Sequence, residues 1–125
     1  SIIDRIRQAG GSTVALGAAF RTNEPERAHL YREISAFNTV IRSLDLYGQM
    51  FRADVLQPLA RAAELAAPVM IVSGSDDAFW PPAVLRELAA EIPGAELAEL
   101  VSGHSPYYET PDAFNTVLRE FLTRH

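Results

Sequence analysis

The sequence predicts an α/β fold whose parallel sheet this chain alone leaves incomplete, and three observations carry that expectation. From Pro68 onward the pattern runs strand, turn, helix, strand, turn, helix; before Pro68 it is helical; and only two clear strands are legible in 125 residues. Strands that alternate with helices in this way form a βαβ unit and run parallel. A two-stranded parallel sheet leaves both edges unpaired and its apolar faces uncovered, whereas such sheets usually have about five or more strands. The missing strands are expected from another chain or segment, with this chain a processed subunit or a cleaved or truncated product.

Residues 1–8 read as a short amphipathic piece, ended by Ala9-Gly10-Gly11-Ser12. Gly10-Gly11 lacks the preceding strand and following lysine of a phosphate loop. Residues 13–20 are small and apolar without periodicity. Asn23 or Glu24 starts the next helix, because Pro25 suits a first turn and Glu26 suits the positive end of the helix dipole. Leu30, Ile34, Phe37, Ile41 and Leu44 recur at spacings of three and four, giving one apolar stripe on a helix to about Leu46. That stripe reads as a packing face whose partner is the missing part of the protein. Tyr47, Met50 and Phe51 follow around Gly48 as an aromatic-rich connection, and Asp54 opens an alanine-rich helix over 55–66.

Val69-Met70-Ile71-Val72 is a continuous β-forming run, as expected of a strand buried on both faces of a parallel sheet, and Ser73-Gly74-Ser75-Asp76-Asp77 ends it. Pro81 and Pro82 open a helix through Ile92, Pro93-Gly94 stops it, and a second strand follows over 95–101. After the loop Ser102-Gly103-His104-Ser105-Pro106, Thr110 is placed to cap a final helix with Pro111 in its first position and Asp112 behind it. Val117, Leu118, Phe121 and Leu122 are its expected buried face.

With 48% hydrophobic and 22% charged residues the composition is globular. Sixteen acidic against eleven basic residues give a net charge of −5 without a basic stripe, so a nucleic-acid partner is not expected. No apolar run reaches the roughly 20 residues of a membrane span. The absence of cysteine removes disulfides and thiolate chemistry and fits a reducing compartment, so a cytoplasmic protein is expected. His29, His104 and His125 lie too far apart for a short metal motif.

In open parallel sheets the functional loops lie at the carboxyl ends of the strands. One such loop offers Asp76 and Asp77, the other Gly103-His104. Adjacent parallel strands would bring an Asp carboxylate within reach of the histidine Nδ1, fixing the tautomer and stabilising the imidazolium formed in general-base catalysis. His29 and His125 lack such a context. Phe79, Trp80, Tyr107 and Tyr108 flank the two candidates and could line a pocket or pack against the last helix.

Over about residues 59–122 the sequence resembles the α/β-hydrolase family. Ala67-Pro68, Val69 to Asp77, Pro81-Pro82, Ile92-Pro93-Gly94-Ala95, Gly103-His104, Glu109-Thr110-Pro111 and Phe121-Leu122 arrive in that family's order and spacing. The resemblance implies that Asp77, three positions after the strand-end glycine, is the triad acid and His104 the triad histidine. It implies that Glu109 braces the histidine loop without reacting. The family's G-x-S-x-G nucleophile elbow is absent from this chain, as is the oxyanion-hole loop. By the same resemblance residues 1–53 are a helical cap or lid and residues 54–125 the C-terminal part of the hydrolase core.

The implied function is hydrolysis of a small-molecule ester, amide or lactone by Ser(or Cys)-His-Asp acyl transfer. Asp77 and His104 sit here, and the nucleophile sits on a separate N-terminal chain or segment of the same fold. No cofactor, metal or membrane partner is implied. Family members also cleave carbon–carbon bonds, epoxides and halides, so the reaction subtype stays open. A non-catalytic α/β-hydrolase-like binding or assembly protein is the alternative, and an independently folded small interaction domain a third. Ser1 could arise by specific cleavage, including self-cleavage at a hydroxyl, or by ordinary proteolysis.

Overall fold

The computed structural model describes residues 12–37, 61 and 64–125. Expectations for Ser1, the 1–8 piece, Gly10-Gly11, Ile41 and Leu44, the aromatic connection and most of the helix over 55–66 lie outside the described residues. The last two positions of that helix, Leu65 and Ala66, are not helical.

A single 3-10 turn at Ser12–Ala15 leads into α1 (Ala18–Asn23) and α2 (Pro25–Ala36). After Pro68 come β1 (Met70–Gly74), α3 (Pro82–Glu91), β2 (Glu96–Leu100), the one-turn α4 (Pro106–Glu109) and α5 (Pro111–Arg124). β1 and β2 pair in parallel, with Met70 opposite Glu96 and Gly74 opposite Leu100. Among the described residues the sheet has these two strands. The crossover helix α3 packs on both and α5 packs on β2, so the βαβ unit forms as its sequence requires. Gly94 holds φ at 73°, a left-handed turn between α3 and β2 that glycine adopts without steric cost. Among the described residues no helix is long and apolar enough to cross a membrane.

Three sequence expectations change. Met70, Ile71 and Val72 are half-buried instead of buried on both faces, because two strands and the helices around them cannot cover a continuous apolar run. Leu30 and Ile34 on α2, with Phe37 just after it, form the expected stripe, which the described residues leave exposed, Phe37 to 87%, in keeping with a packing partner elsewhere. The face of α2 that meets the rest of the chain carries Arg27, Ala28 and Tyr31, turned by roughly 100° about the helix axis. Thr110 stands at the cap position of α5, but its Oγ1 donates backward to the carbonyl of Pro106 instead of capping. On α5 itself Val117, Leu118 and Phe121 are half-buried while Leu122 faces solvent.

The buried apolar side chains among those described include Val14, Ala15, Leu16, Ala28, Ile92 and Pro106, joined by the polar Ser73, Asp77, Ser102, Ser105 and Glu109. All but Ile92 and Ala28 belong to three places: residues 14–16, the exit of β1, and the loop after β2 through α4. Among the described residues the most protected part therefore lies at the carboxyl ends of the strands, where the sequence places its chemistry.

Candidate active site

The two strand exits stay joined beyond the sheet. Ser75 N–H donates to Leu100 O and Asp76 N–H to Ser102 O, both at 2.8 Å, while Asp77 N–H turns back to Gly74 O at 3.2 Å. That turn buries the Asp77 side chain to 4% exposure. Its Oδ1 accepts the backbone N–H groups of Phe79 (2.8 Å) and Trp80 (3.0 Å), the local arrangement an aspartate makes at a turn ahead of a helix. Oδ2 is left for the neighbouring loop, and His104 Nδ1 donates to it at 2.8 Å.

His104 is 43% exposed at its side chain, so its imidazole lies between a buried acid and open space. The carboxylate on Nδ1 sets the tautomer: the Nδ1 proton is committed to Asp77, and in the neutral ring Nε2 carries the lone pair. Phe79 packs against the imidazole, ring centroids 5.0 Å apart at 62°, as an edge-to-face contact. Residue 79 thus steadies both members of the pair, the acid through its N–H and the base through its ring.

Burial pushes the Asp77 carboxyl up, but the hydrogen bonds from His104, Trp80 and Phe79 outweigh it and the pKa lies below the ordinary carboxylate value. The hydrogen bond to Asp77 holds His104 above an ordinary histidine despite partial burial. The signs fix a pH window. Stability from the lowered Asp77 is present above the unfolded carboxylate pKa and lost as pH falls through the folded one. Stability from the raised His104 is present below the unfolded histidine pKa and lost as pH rises through the folded one. Both contributions are complete between about pH 4 and pH 6.5. Asp77→Asn should therefore lower the urea midpoint most in that window and less at pH 9, and NMR titration should place the His104 midpoint lower in the variant than in the parent. A variant midpoint equal to or above the parent's would contradict the pairing.

Glu109, 6% exposed, faces the histidine loop from the end of α4. Both of its carboxyl oxygens accept the Gly103 N–H at 3.0 Å, and Oε2 also accepts the Gly17 N–H at 2.9 Å. The His104 N–H itself donates to Ala15 O at 2.8 Å. Asp76, the second acid of the pair in sequence, makes no contact with His104 among its described hydrogen bonds; its Oδ2 accepts the Ala18 N–H.

Sequence reasoning missed the part played by residues 15–18. They read as unassigned small residues, but smallness is the signal: Ala15, Gly17 and Ala18 allow the backbone to lie directly against Gly103. It also missed the seam between α2 and α4. Tyr31 Oη and Ser105 Oγ are hydrogen-bonded at 2.9 Å, and Tyr108 Oη donates to Arg27 O at 2.7 Å. The Arg27 guanidinium lies over the rings of Phe20 and Tyr108. Tyr108 is thereby a packing residue, Tyr107 rests edge-on against Phe114, and Trp80 is 42% exposed. His29 is exposed and bonds Arg32, and His125 bonds Glu96 at 3.0 Å, both away from the Asp77 and His104 pair in sequence and in partners. Among the described residues no group of three His, Asp or Glu side chains converges as a metal site.

No family model matches the chain. A protein of Klebsiella pneumoniae subsp. pneumoniae named as a carbamate hydrolase, RutD, is 39% identical over 64 residues, which cover 50% of this chain and 24% of that protein. The enol-lactonase of Burkholderia xenovorans LB400 superposes with a TM-score of 0.66 at 29% identity, over 86% of this chain and 40% of its own. MGS-M2, an α/β hydrolase from a deep-sea metagenome library, superposes with a TM-score of 0.68 at 21% identity over 88% of this chain and 41% of its own, a likeness of fold. The chain matches less than half the length of each.

Proposed function

We propose that this chain, which shares the fold of α/β hydrolases and spans a part of it, contributes the acid and the base of a hydrolase acting on an ester, amide, carbamate or lactone carbonyl. The observation that carries this reading is the 2.8 Å contact between His104 Nδ1 and Asp77 Oδ2 at the ends of adjacent parallel strands. The nucleophile, a serine or cysteine, and the oxyanion hole belong to an N-terminal chain or segment of the same fold. Exposed apolar groups support such a partner: Phe37, Leu30 and Ile34 on α2, and Val101, 84% exposed, just beyond β2. Residues 1–53 serve as cap and 54–125 as the C-terminal part of the core, in a protein of the cytoplasm.

In this reading His104 Nε2 takes the proton of the attacking hydroxyl or thiol as the nucleophile adds to the substrate carbonyl. Asp77 stabilises the imidazolium without taking its proton. His104 then gives that proton to the leaving group, and in the second half accepts one from the water that attacks the acyl group and returns it to the serine or cysteine as the acyl bond breaks. The raised His104 pKa suits the acid half of this cycle and asks for a mildly alkaline pH in the base half.

Native mass spectrometry with intact-mass sequencing of every chain in the purified protein, followed by fluorophosphonate labelling, tests the reading. The expected result is a stoichiometric partner or a contiguous segment that carries G-x-S-x-G or G-x-C-x-G and takes the label. A partner without a placed nucleophile, or a stable lone chain of 125 residues, would overturn it in favour of a non-catalytic relative.

A further inference from the structure

The two peptide N–H groups that lead into His104, those of Gly103 and of His104 itself, are both held by something other than the sheet. Gly103 N–H points into Glu109, and His104 N–H reaches Ala15 O. Glu109 in turn accepts the Gly17 N–H, and Asp76 accepts the Ala18 N–H one residue further on. Residues 15–18 therefore form a strap tied down at three points: Ala15 by its carbonyl, Gly17 by Glu109, Ala18 by Asp76.

The strap lies on the loop with no spare room. A Cβ on Gly103 would come within 2.3 Å of Gly17 N, 2.7 Å of Leu16 C and 2.9 Å of Ala15 O. Leu16, 1% exposed, fixes the same segment by burial. These bonds hold the backbone on the N-terminal side of His104 Cα; on the other side Ser105, 1% exposed, is held through its carbonyl by the Tyr108 and Glu109 N–H groups and through its Oγ by Tyr31, while Asp77 and Phe79 restrict the His104 side chain.

We propose that Glu109, which ties residues 15–18 to the histidine loop, and Asp76, which ties them to the neighbouring exit of β1, are positioning residues, so that the segment ahead of α1 sets where the His104 imidazole stands. The expected consequence goes beyond bracing of one loop: the strap and the catalytic base are one mechanical unit, and a change at either carboxyl group is felt at Nδ1. The kinetic arm of the test rests on the hydrolase reading given above, and the spectroscopic arm does not.

The test compares the full chain, with whatever partner it carries, as parent, Glu109→Gln, Asp76→Asn and Arg86→Gln. In Glu109→Gln an amide NH2 replaces one acceptor and faces N–H groups. The Gly17 and Gly103 amides should then exchange about tenfold faster or more, and the downfield Nδ1–H resonance of His104 should broaden or shift upfield. Turnover, where the parent has it, should fall about tenfold to a hundredfold in kcat, with KM within about twofold. Asp76→Asn, at an exposed position, should shift the same readouts in the same direction by less. Arg86→Gln breaks only an exposed ion pair with Glu99 and should leave them all unchanged.

An unchanged Nδ1–H resonance and unchanged amide protection in Glu109→Gln would overturn the proposal, as would a fall in kcat with both intact. If Glu109→Gln does not fold, Asp76→Asn decides, and parental readouts there overturn it. A parent without turnover whose Nδ1–H signal is still lost in Glu109→Gln removes the hydrolase reading and sustains the strap.

Discussion

On the proposed hydrolase reading, replacing His104 by alanine is expected to cut turnover by about ten-thousand-fold or more, and Asp77→Asn by about ten-thousand-fold. The two losses have different origins. His104→Ala removes the side chain whose Nε2 stands beside the buried acid to move a proton. Asp77→Asn keeps the shape of the buried group and its acceptor for the Phe79 and Trp80 N–H groups, but presents an NH2 toward Nδ1. The imidazole must then give up its Nδ1 proton to accept that bond, which moves the proton to Nε2, the atom that has to act as base. Because the pair works as a unit, the double variant should be no slower than His104→Ala alone. Steady-state kinetics on folded variants, with circular dichroism as the check on fold, measure this. Parental rates in either single variant would remove the site, and losses that multiply in the double variant would show two independent contributions instead of one pair.

Much of that site was legible in the sequence because its residues sit where local chemistry forces the chain to turn. Ser73-Gly74 ends one strand and Ser102-Gly103 follows the other, and parallel pairing of the strands does the rest by putting both exits on one edge. The βαβ order could be read from Pro81-Pro82 and Pro93-Gly94, since those residues fix where a helix begins and stops regardless of what packs on it. What was not legible depends on contacts distant in sequence. Periodicity located the apolar stripe of Leu30, Ile34 and Phe37 but could not say that Arg27 and Tyr31, on another face of α2, would meet the segment around α4. Residues 13–20 have no period at all, because their backbone, more than their side chains, makes the contacts that matter. Asp76 and Asp77 are chemically identical in the sequence, and only the turn at Gly74 sends one carboxylate to His104 and the other to Ala18.

Gly74→Ala is expected to be the most destabilising single methyl that can be added to the described chain at a glycine, at a cost of about 3 to 5 kcal/mol. The added Cβ would sit 1.9 Å from Gly103 O, 2.7 Å from Ser102 O and 2.8 Å from Gly103 C. All three are backbone atoms, so no rotamer change relieves the overlap, and the loop after β2 would have to retreat by about 1 Å or more. That retreat is opposed by the bonds from Ser75 to Leu100, from Asp76 to Ser102, from Gly103 to Glu109 and from His104 to Ala15. Gly94→Ala supplies the contrast. Its φ of 73° strains any side chain, but nothing lies within 4 Å of the new Cβ, so the cost is the conformational one of about 1 to 2 kcal/mol. Urea unfolding of both variants should therefore rank Gly74→Ala well below Gly94→Ala in midpoint, and in Gly74→Ala the separation of His104 from Asp77 should also return the histidine titration toward its ordinary range. Equal midpoints would mean that the two strand exits are not in contact at Gly74, and with that contact would go the geometry that brings the acid to the base.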